Sequence, residues 1–341
     1  MTNIFILFFF IFITPFQILA KAGQKPSRSM QIENSKLLLH GLIKFTGSHF
    51  QSCMPLLKYD DDPVDILKDF WNSEESLTKS RQCYDRRNDN FNYVSFSWNK
   101  GSLEPTAGQL KLDGGSLDAF GRFNCSGFVA GIMAASGFKY SQSQSDLGYS
   151  PTTEYIHKEF KSEDSCFFRP EISKEMSLLP GDLINVSAAH VVMVYTVGKD
   201  PLGLKNIKKK SQCENISKKN FDFTIVHSSS EDKGDFSGVR IEEASKASTN
   251  LIKKLEGYTQ KFCKERFSKS FSGTLKDDDT GDRTYGWSIF SIKKTKYWAL
   301  RRHFGRSKRG CFYHHLPKVN GEKCLRKKCY QQVKNKAMGF Q

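Results

Sequence analysis

Apolar and polar positions alternate between two periods along this chain, and the changes of period mark its elements. Residues 37–45 (LLLHGLIKF) and 62–72 (DPVDILKDFWN) place apolar side chains at helical spacing. Ser35 and Asp62 stand where N-caps would. The polar run 23–35 before them predicts a flexible linker, and Gly- and Ser-rich 100–121 predicts a loop. A helix is predicted from about Cys125, with Phe128, Val129, Ile132, Met133 and Ser136 on one face and Gly137 as its stop. The period then shortens. A Pro-Gly turn at 180–181 leads into DLINV, and HVVMVYTV (190–197) is apolar on both faces, the pattern of a central strand. DFTIVHSS (222–229) and GVRIE (238–242) predict two more strands. Leu251, Ile252, Leu255, Tyr258 and Phe262 space as a further helix, KDDDTGD (276–282) reads as a turn, and Tyr285, Trp287 and Ile289 alternate as a strand. One helix followed by several strands gives an α+β class.

The amino terminus changes the compartment. Residues Ile4 to Ile13 are almost unbroken apolar, and Ala20-Lys21-Ala22 offers a small-x-small cleavage point. This predicts a secretory signal peptide over 1–22 and an exported chain, secreted or held in the periplasm or cell envelope. The alternative is an uncleaved anchor, since a stretch of about 17 apolar residues nearly spans a bilayer. In an oxidising compartment the nine cysteines should pair, and an odd number leaves one over. Cys53 and Cys83 flank the 62–72 helix and suggest a stapled N-terminal helical extension over 23–90.

Charge is unevenly placed. The formal net charge is +16, yet residues 291–341 hold fifteen Lys or Arg against the single acid Glu322. The basic character therefore belongs to the C-terminal region, 251–341. Such a patch concentrates polyanions. Within KKTKYWALRRHFGRSKRG (293–310), Tyr297, Trp298 and Phe304 interleave with Lys and Arg, and residues 293–336 are the expected contact for an anionic envelope polymer or membrane surface. No nucleic-acid module motif is present, and export argues against that partner. Cys311, His314, Cys324 and Cys329 have spacings compatible with zinc, but pairing of eight cysteines with one left over favours disulfides, so no metal is expected. Asn124, Asn185 and Asn215 match the N-x-Ser pattern and are read as chance matches.

The candidate chemistry centres on Cys125. A cysteine nucleophile works as a thiolate, favoured by a helix N-terminus and a neighbouring imidazolium. Cys125 opens a helix, with Asn124 and the small Ser126 beside it as candidate substrate-binding residues. Of the eight histidines, His190 opens one predicted strand and His227 closes another. If the strands pair antiparallel, both rings come to one rim of a sheet. A thiol, a base and an orienter of that base make a generalised triad.

Cys-Ser-Gly-Phe at a helix start, then Pro-Gly-Asp-Leu, His-Val-Val-Met-Val-Tyr, Val-His-Ser-Ser and Gly-Val-Arg-Ile, in that order over residues 120–245, resemble the NlpC-type cysteine peptidases, papain-like cell-wall hydrolases. The resemblance implies a papain-like core over 91–250, a catalytic helix packed on an antiparallel sheet. It also implies Cys125 as nucleophile, His190 as general base, His227 as the residue orienting it, cleavage of amide bonds in peptidoglycan stem peptides, and no cofactor. The sequence departs from that family where Asn124 replaces an Asp, where the upstream Tyr-x-Trp-Gly-Gly is missing, and where 199–221 is inserted between the histidines. Two alternatives are a CHAP-like amidase, which cuts a different bond with the same residue order, and a non-catalytic envelope-binding protein that uses its basic C-terminal region.

Overall fold

The computed structural model describes residues 25–51, 112–113, 116–117, 124–173, 177–230, 237–247, 250–267, 273–278 and 297–316. The expected signal peptide, the helix predicted over 62–72, Cys53, Cys83, the strand predicted over 285–289, Cys324, Cys329 and the basic positions beyond 316 lie outside them.

The protein is a mixed α+β structure built on one antiparallel sheet. Its six strands lie in the order β3 (Phe167–Phe168), β10 (Trp298–His303), β5 (Leu183–Val186), β6 (His190–Val197), β7 (Phe223–Ser230) and β8 (Ser237–Glu243). Two-stranded pairs join β1 (Leu112–Asp113) to β2 (Ser116–Leu117), and β4 (Glu171–Ile172) to β9 (Gly273–Thr274). The first pair forms a short hairpin inside the segment expected to be loop. The helices are α1 (Arg28–Gln51), α2 (Cys125–Ala135), α3 (Thr153–Glu159) and α4 (Asn250–Arg266).

The continuous apolar run of β6 has a direct explanation. Val191, Met193 and Tyr195 pack into a core with α1, α2 and α3, whereas Val192 and Val194 pack into a second core with α4. A strand covered on both faces has no solvent side to mark with polar residues. For the same reason α2 is not amphipathic: every residue from Cys125 to Ala135 except Gly127 is buried. It lies between the sheet and α1. The crossing of α1 with α2 is close. A Cβ on Gly41 would fall 1.8 Å from Ser136 Oγ and 2.8 Å from the Ile132 carbonyl, and one on Gly131 would meet the Phe45 ring.

Two expectations are corrected. The polar run before Ser35 is not a linker, because α1 starts at Arg28 and Ser35 is buried within it rather than capping it. Its polar side chains are used in tertiary contacts. Asn34 Nδ2 donates to the Phe304 carbonyl at 2.6 Å, and Gln31 Oε1 accepts from Arg302 at 2.7 Å.

The Trp298–His303 part of the basic cluster is likewise not at the surface. Trp298 to His303 form β10, between β3 and β5, and all six residues are buried. Arg301 makes a two-pronged ion pair with Asp277, at 2.7 and 2.5 Å, joined by Arg169 at 2.8 Å. Arg302 makes another with Asp182, at 2.7 Å on each prong. Buried cations require such partners, and these two guanidinium groups are committed inside the fold. Of the described basic positions in 293–310, Arg306 and Arg309 are exposed.

Cys166 is bonded to Cys311, and Cys213 to Cys263. The first bridge removes Cys311 from any zinc site. The second ties the 199–221 insertion to α4. Both suit an oxidising compartment. Among the described residues no helix is long and apolar enough to cross a membrane.

Candidate active site

Asn124 caps α2: its Oδ1 accepts from the Gly127 N–H at 2.7 Å and from Ser126 Oγ at 3.1 Å. The short Asn side chain reaches back to a helix donor that has no partner within the helix. It does so without charge. The two residues expected to meet substrate are thus engaged with each other in the cap that presents Cys125.

Cys125 is the free cysteine among the described residues, and it is buried. Burial pushes its thiol above the ordinary value. Hydrogen bonds from the backbone of Val191, Ser126 and Cys125 itself act the other way. The expectation of a thiol lowered by its helix start is therefore only one side of the balance. Desolvation is the larger effect, and a thiolate here needs a base to take its proton.

His190 is positioned by two neighbouring features. A hairpin turn, Ser187 to Ala189, holds Ala188 in the left-handed region at φ 54° and delivers His190 as the first residue of β6. On one side β6 stays in register with β5 as far as Val186↔His190. On the other its register with β7 ends at Met193↔Val226. The backbone of Val191, beyond that last β7 pair, meets Cys125. Cys125 is thereby set against the residue next to His190.

His190 Nε2 lies 2.7 Å from His227 Nδ1, with the rings nearly perpendicular. His227 is fully buried and stands inside β7 rather than at its end, opposite Arg240. β7 continues to Ser230, so the rim expected at His227 is displaced by three residues. The pairing arises because β6 and β7 are antiparallel and the rings reach diagonally across the ladder.

One member of the cluster was not anticipated. Glu242 Oε2 lies 3.4 Å from His227 Nε2. It sits on β8, two positions along from His227's register partner Arg240. In the sequence Glu242 is only the fifth residue of GVRIE, and nothing local marks it.

The structure brings Asn124, Cys125 and Ser126 to the start of β6 through Val191, and joins His190, His227 and Glu242 in a line. It does not bring the 199–221 insertion to this end. That segment connects the far ends of β6 and β7. Among the described residues no cluster of His, Cys, Asp or Glu is suited to holding a metal. No protein-family model, curated protein or solved structure matches the chain.

Proposed function

We propose that the protein is a cysteine hydrolase of the papain-like type, cutting amide bonds in peptidoglycan stem peptides through an acyl-enzyme. The observation that carries this reading is the connected set Cys125, Val191–His190 and His227. It joins a free thiol at a helix start, packed in one core with Val191 beside the first histidine, to a second histidine in contact with the first. With Nε2 of His190 engaged by His227, Nδ1 is the nitrogen that would accept the thiol proton.

The chemistry then follows. His190 takes the proton as Cys125 Sγ attacks the scissile carbonyl, forming an S–C bond. The Cys125 N–H at the helix start helps hold the oxyanion. His190 gives the proton to the leaving amine as the C–N bond breaks. It next draws a proton from water, whose hydroxide releases the acyl group and regenerates the thiol. Because burial disfavours a resting thiolate, proton transfer accompanies attack instead of preceding it.

The substrate class comes from the ordered motifs around these residues. Export, which the two disulfides support, would bring the enzyme to a cell envelope. Basic positions outside β10, among them Arg306 and Arg309, would hold it to an anionic polymer or membrane surface.

The test is digestion of purified peptidoglycan by the mature protein and by Cys125→Ala, with products identified by mass spectrometry. Release of peptide fragments by the wild type and none by Cys125→Ala is expected. Equal release by both, or none by either, overturns the proposal. Products split between the glycan and its first amino acid would instead identify the amidase.

A further inference from the structure

We infer that the 199–221 insertion docks the protein on an anionic lipid surface: Lys205, Lys208, Lys209 and Lys210 meet the phosphate headgroups, and Phe267 enters the interface beside them. This does not rest on the catalytic reading, and a binding measurement tests it without reading hydrolysis.

The insertion carries seven lysines against two acids, Asp200 and Glu214. Lys205, Lys208, Lys209 and Lys210 are all exposed. Neither acid neutralises them. The Asp200 carboxylate accepts from the N–H groups of Leu204 and Lys205, at 2.9 and 3.1 Å, and Glu214 pairs with Lys264 at 3.0 Å. Among the described residues the four ammonium groups enter no ion pair. Like charges on neighbouring positions repel, and a facing layer of phosphates relieves that repulsion.

The backbone that carries these lysines is held in place. Arg266 donates from Nη1 to the Leu204 carbonyl at 3.0 Å and from Nη2 to the Ile207 carbonyl at 2.5 Å. Gln212 Oε1 accepts from the N–H groups of Lys208 and Lys209, at 2.8 and 3.1 Å. The Cys213–Cys263 bridge fastens the segment to α4, and Leu202, Ile216 and Phe221 pack into the second core. A patch ordered in advance loses little backbone freedom when it docks.

A soluble polyanion would need charge alone, and here an apolar group stands with the charge. The Arg266 guanidinium that clamps Leu204 and Ile207 also lies over the Phe267 ring, 5.1 Å from its centre, and Phe267 is 37% exposed. Lysines around an exposed aromatic suit the boundary between headgroups and acyl chains. The place in the fold agrees. The insertion joins the ends of β6 and β7 away from Val191, and a strand of the length of β6 spans roughly 20 Å. Docked by this end, the chain holds Cys125 away from the lipid.

The experiment sediments the mature protein with vesicles of phosphatidylcholine and phosphatidylglycerol in equal parts, and with phosphatidylcholine alone, across a salt series. The wild type should bind the anionic vesicles, release with salt and ignore the neutral ones. Lys205→Gln, Lys208→Gln, Lys209→Gln and Lys210→Gln combined should bind at least about a hundredfold more weakly, since one lysine near an anionic surface contributes about fivefold. Arg306→Gln with Arg309→Gln should lose far less. Phe267→Ser should weaken vesicle binding about fivefold and leave affinity for soluble polyphosphate unchanged. In the wild type, anionic vesicles should protect the four lysines from acetic anhydride, a readout that needs no variant to fold. Failure of the wild type to bind anionic vesicles overturns the inference. So does a combined variant that binds as well as the wild type, or a vesicle-bound wild type whose four lysines stay reactive. Polyphosphate bound more tightly than the vesicles, with Phe267→Ser without effect on either, also overturns it and makes the partner a soluble polyanion.

Discussion

His190 Nε2 and His227 Nδ1 are 2.7 Å apart, and this contact joins two strands at the point where their ladder has already ended at Met193↔Val226. β5 and β8 still hold each strand from its other side, and between β6 and β7 the imidazole pair continues the contact. His227 is the rigid partner, buried within β7, while His190 sits half-buried on the first residue of β6 after a strained turn.

Replacing His227 therefore disturbs His190 more than it disturbs the fold. His227→Leu removes the ring nitrogen that His190 Nε2 contacts. Peptidoglycan hydrolysis should fall by about 10²–10⁴-fold, by analogy with losing the orienting residue of a triad. His227→Asn, which keeps a polar acceptor on a shorter side chain, should retain more activity than Leu. Initial rates of fragment release, with thermal melting as a control for folding, check the order. Equal activity of wild type and His227→Leu would contradict it.

Asn124 gives a prediction of opposite character. It caps α2 through Oδ1 without adding charge beside Sγ. Asn124→Asp keeps the acceptor and, at a helix start, is as good a cap or better. It also sets a carboxylate next to the position where the thiolate forms. Like charges disfavour ionisation. The expected outcome is an unchanged or raised melting temperature, with the alkylation profile of Cys125 shifted to higher pH. A shift to lower pH would show that the helix start does not govern this thiol.

How much of this was legible follows from the range of each interaction. Helix α2, its Gly137 stop and the strands at β5, β6, β7 and β8 were read from periodicity, because in each the local pattern and the burial agree. His190 and His227 were legible as strand histidines, although β7 runs on past His227. β10 was misread because WALRRH carries two arginines that look like solvent-facing charge. They are buried only because Asp182 and Asp277, far away in sequence, meet them. Asp277 itself lay in a stretch read as an ordinary acidic turn. Glu242 and the Asn34 and Gln31 contacts of α1 escaped for the same reason. Each depends on which strand lies next to which, and no window along the chain contains that information.

The ion pair at Asp277 gives a stability test. Burial pushes its carboxyl up, but the Arg301 hydrogen bonds and the charges of Arg301 and Arg169 outweigh this and hold it below the usual carboxylate range. Asp277→Asn leaves a buried guanidinium without its counter-charge. That should cost about 3–5 kcal/mol in urea unfolding. The double variant Asp277→Asn with Arg301→Met removes both charges and should recover most of the loss, a coupling that a double-mutant cycle measures directly. If the two losses simply add, the pair is not acting as a unit.

His303 makes the fold itself sensitive to acid. Its ring is buried, stacked 4.3 Å from Phe138 and edge-on to Phe167. Nδ1 accepts from the Gly305 N–H at 2.7 Å, which places the ring proton on Nε2, where it donates to the Lys139 carbonyl at 2.7 Å. A second proton would have to sit on Nδ1, facing another N–H. Burial, with the nearby charge of Lys308 in the same direction, outweighs the Lys139 carbonyl and pushes the group down to about 3. In the unfolded chain it titrates near the ordinary 6.5. Between those values the unfolded state binds one more proton than the folded state, so stability falls as pH falls. This contribution is intact above pH 6.5 and is lost progressively toward pH 3, to a total of about 4–5 kcal/mol. His303→Gln keeps a donor and an acceptor but cannot titrate. Urea unfolding at pH 7 and pH 4 should show the wild type losing about 3 kcal/mol more than His303→Gln over that interval. Parallel losses in the two proteins would mean that His303 takes up its proton without opening the core between α2 and β10.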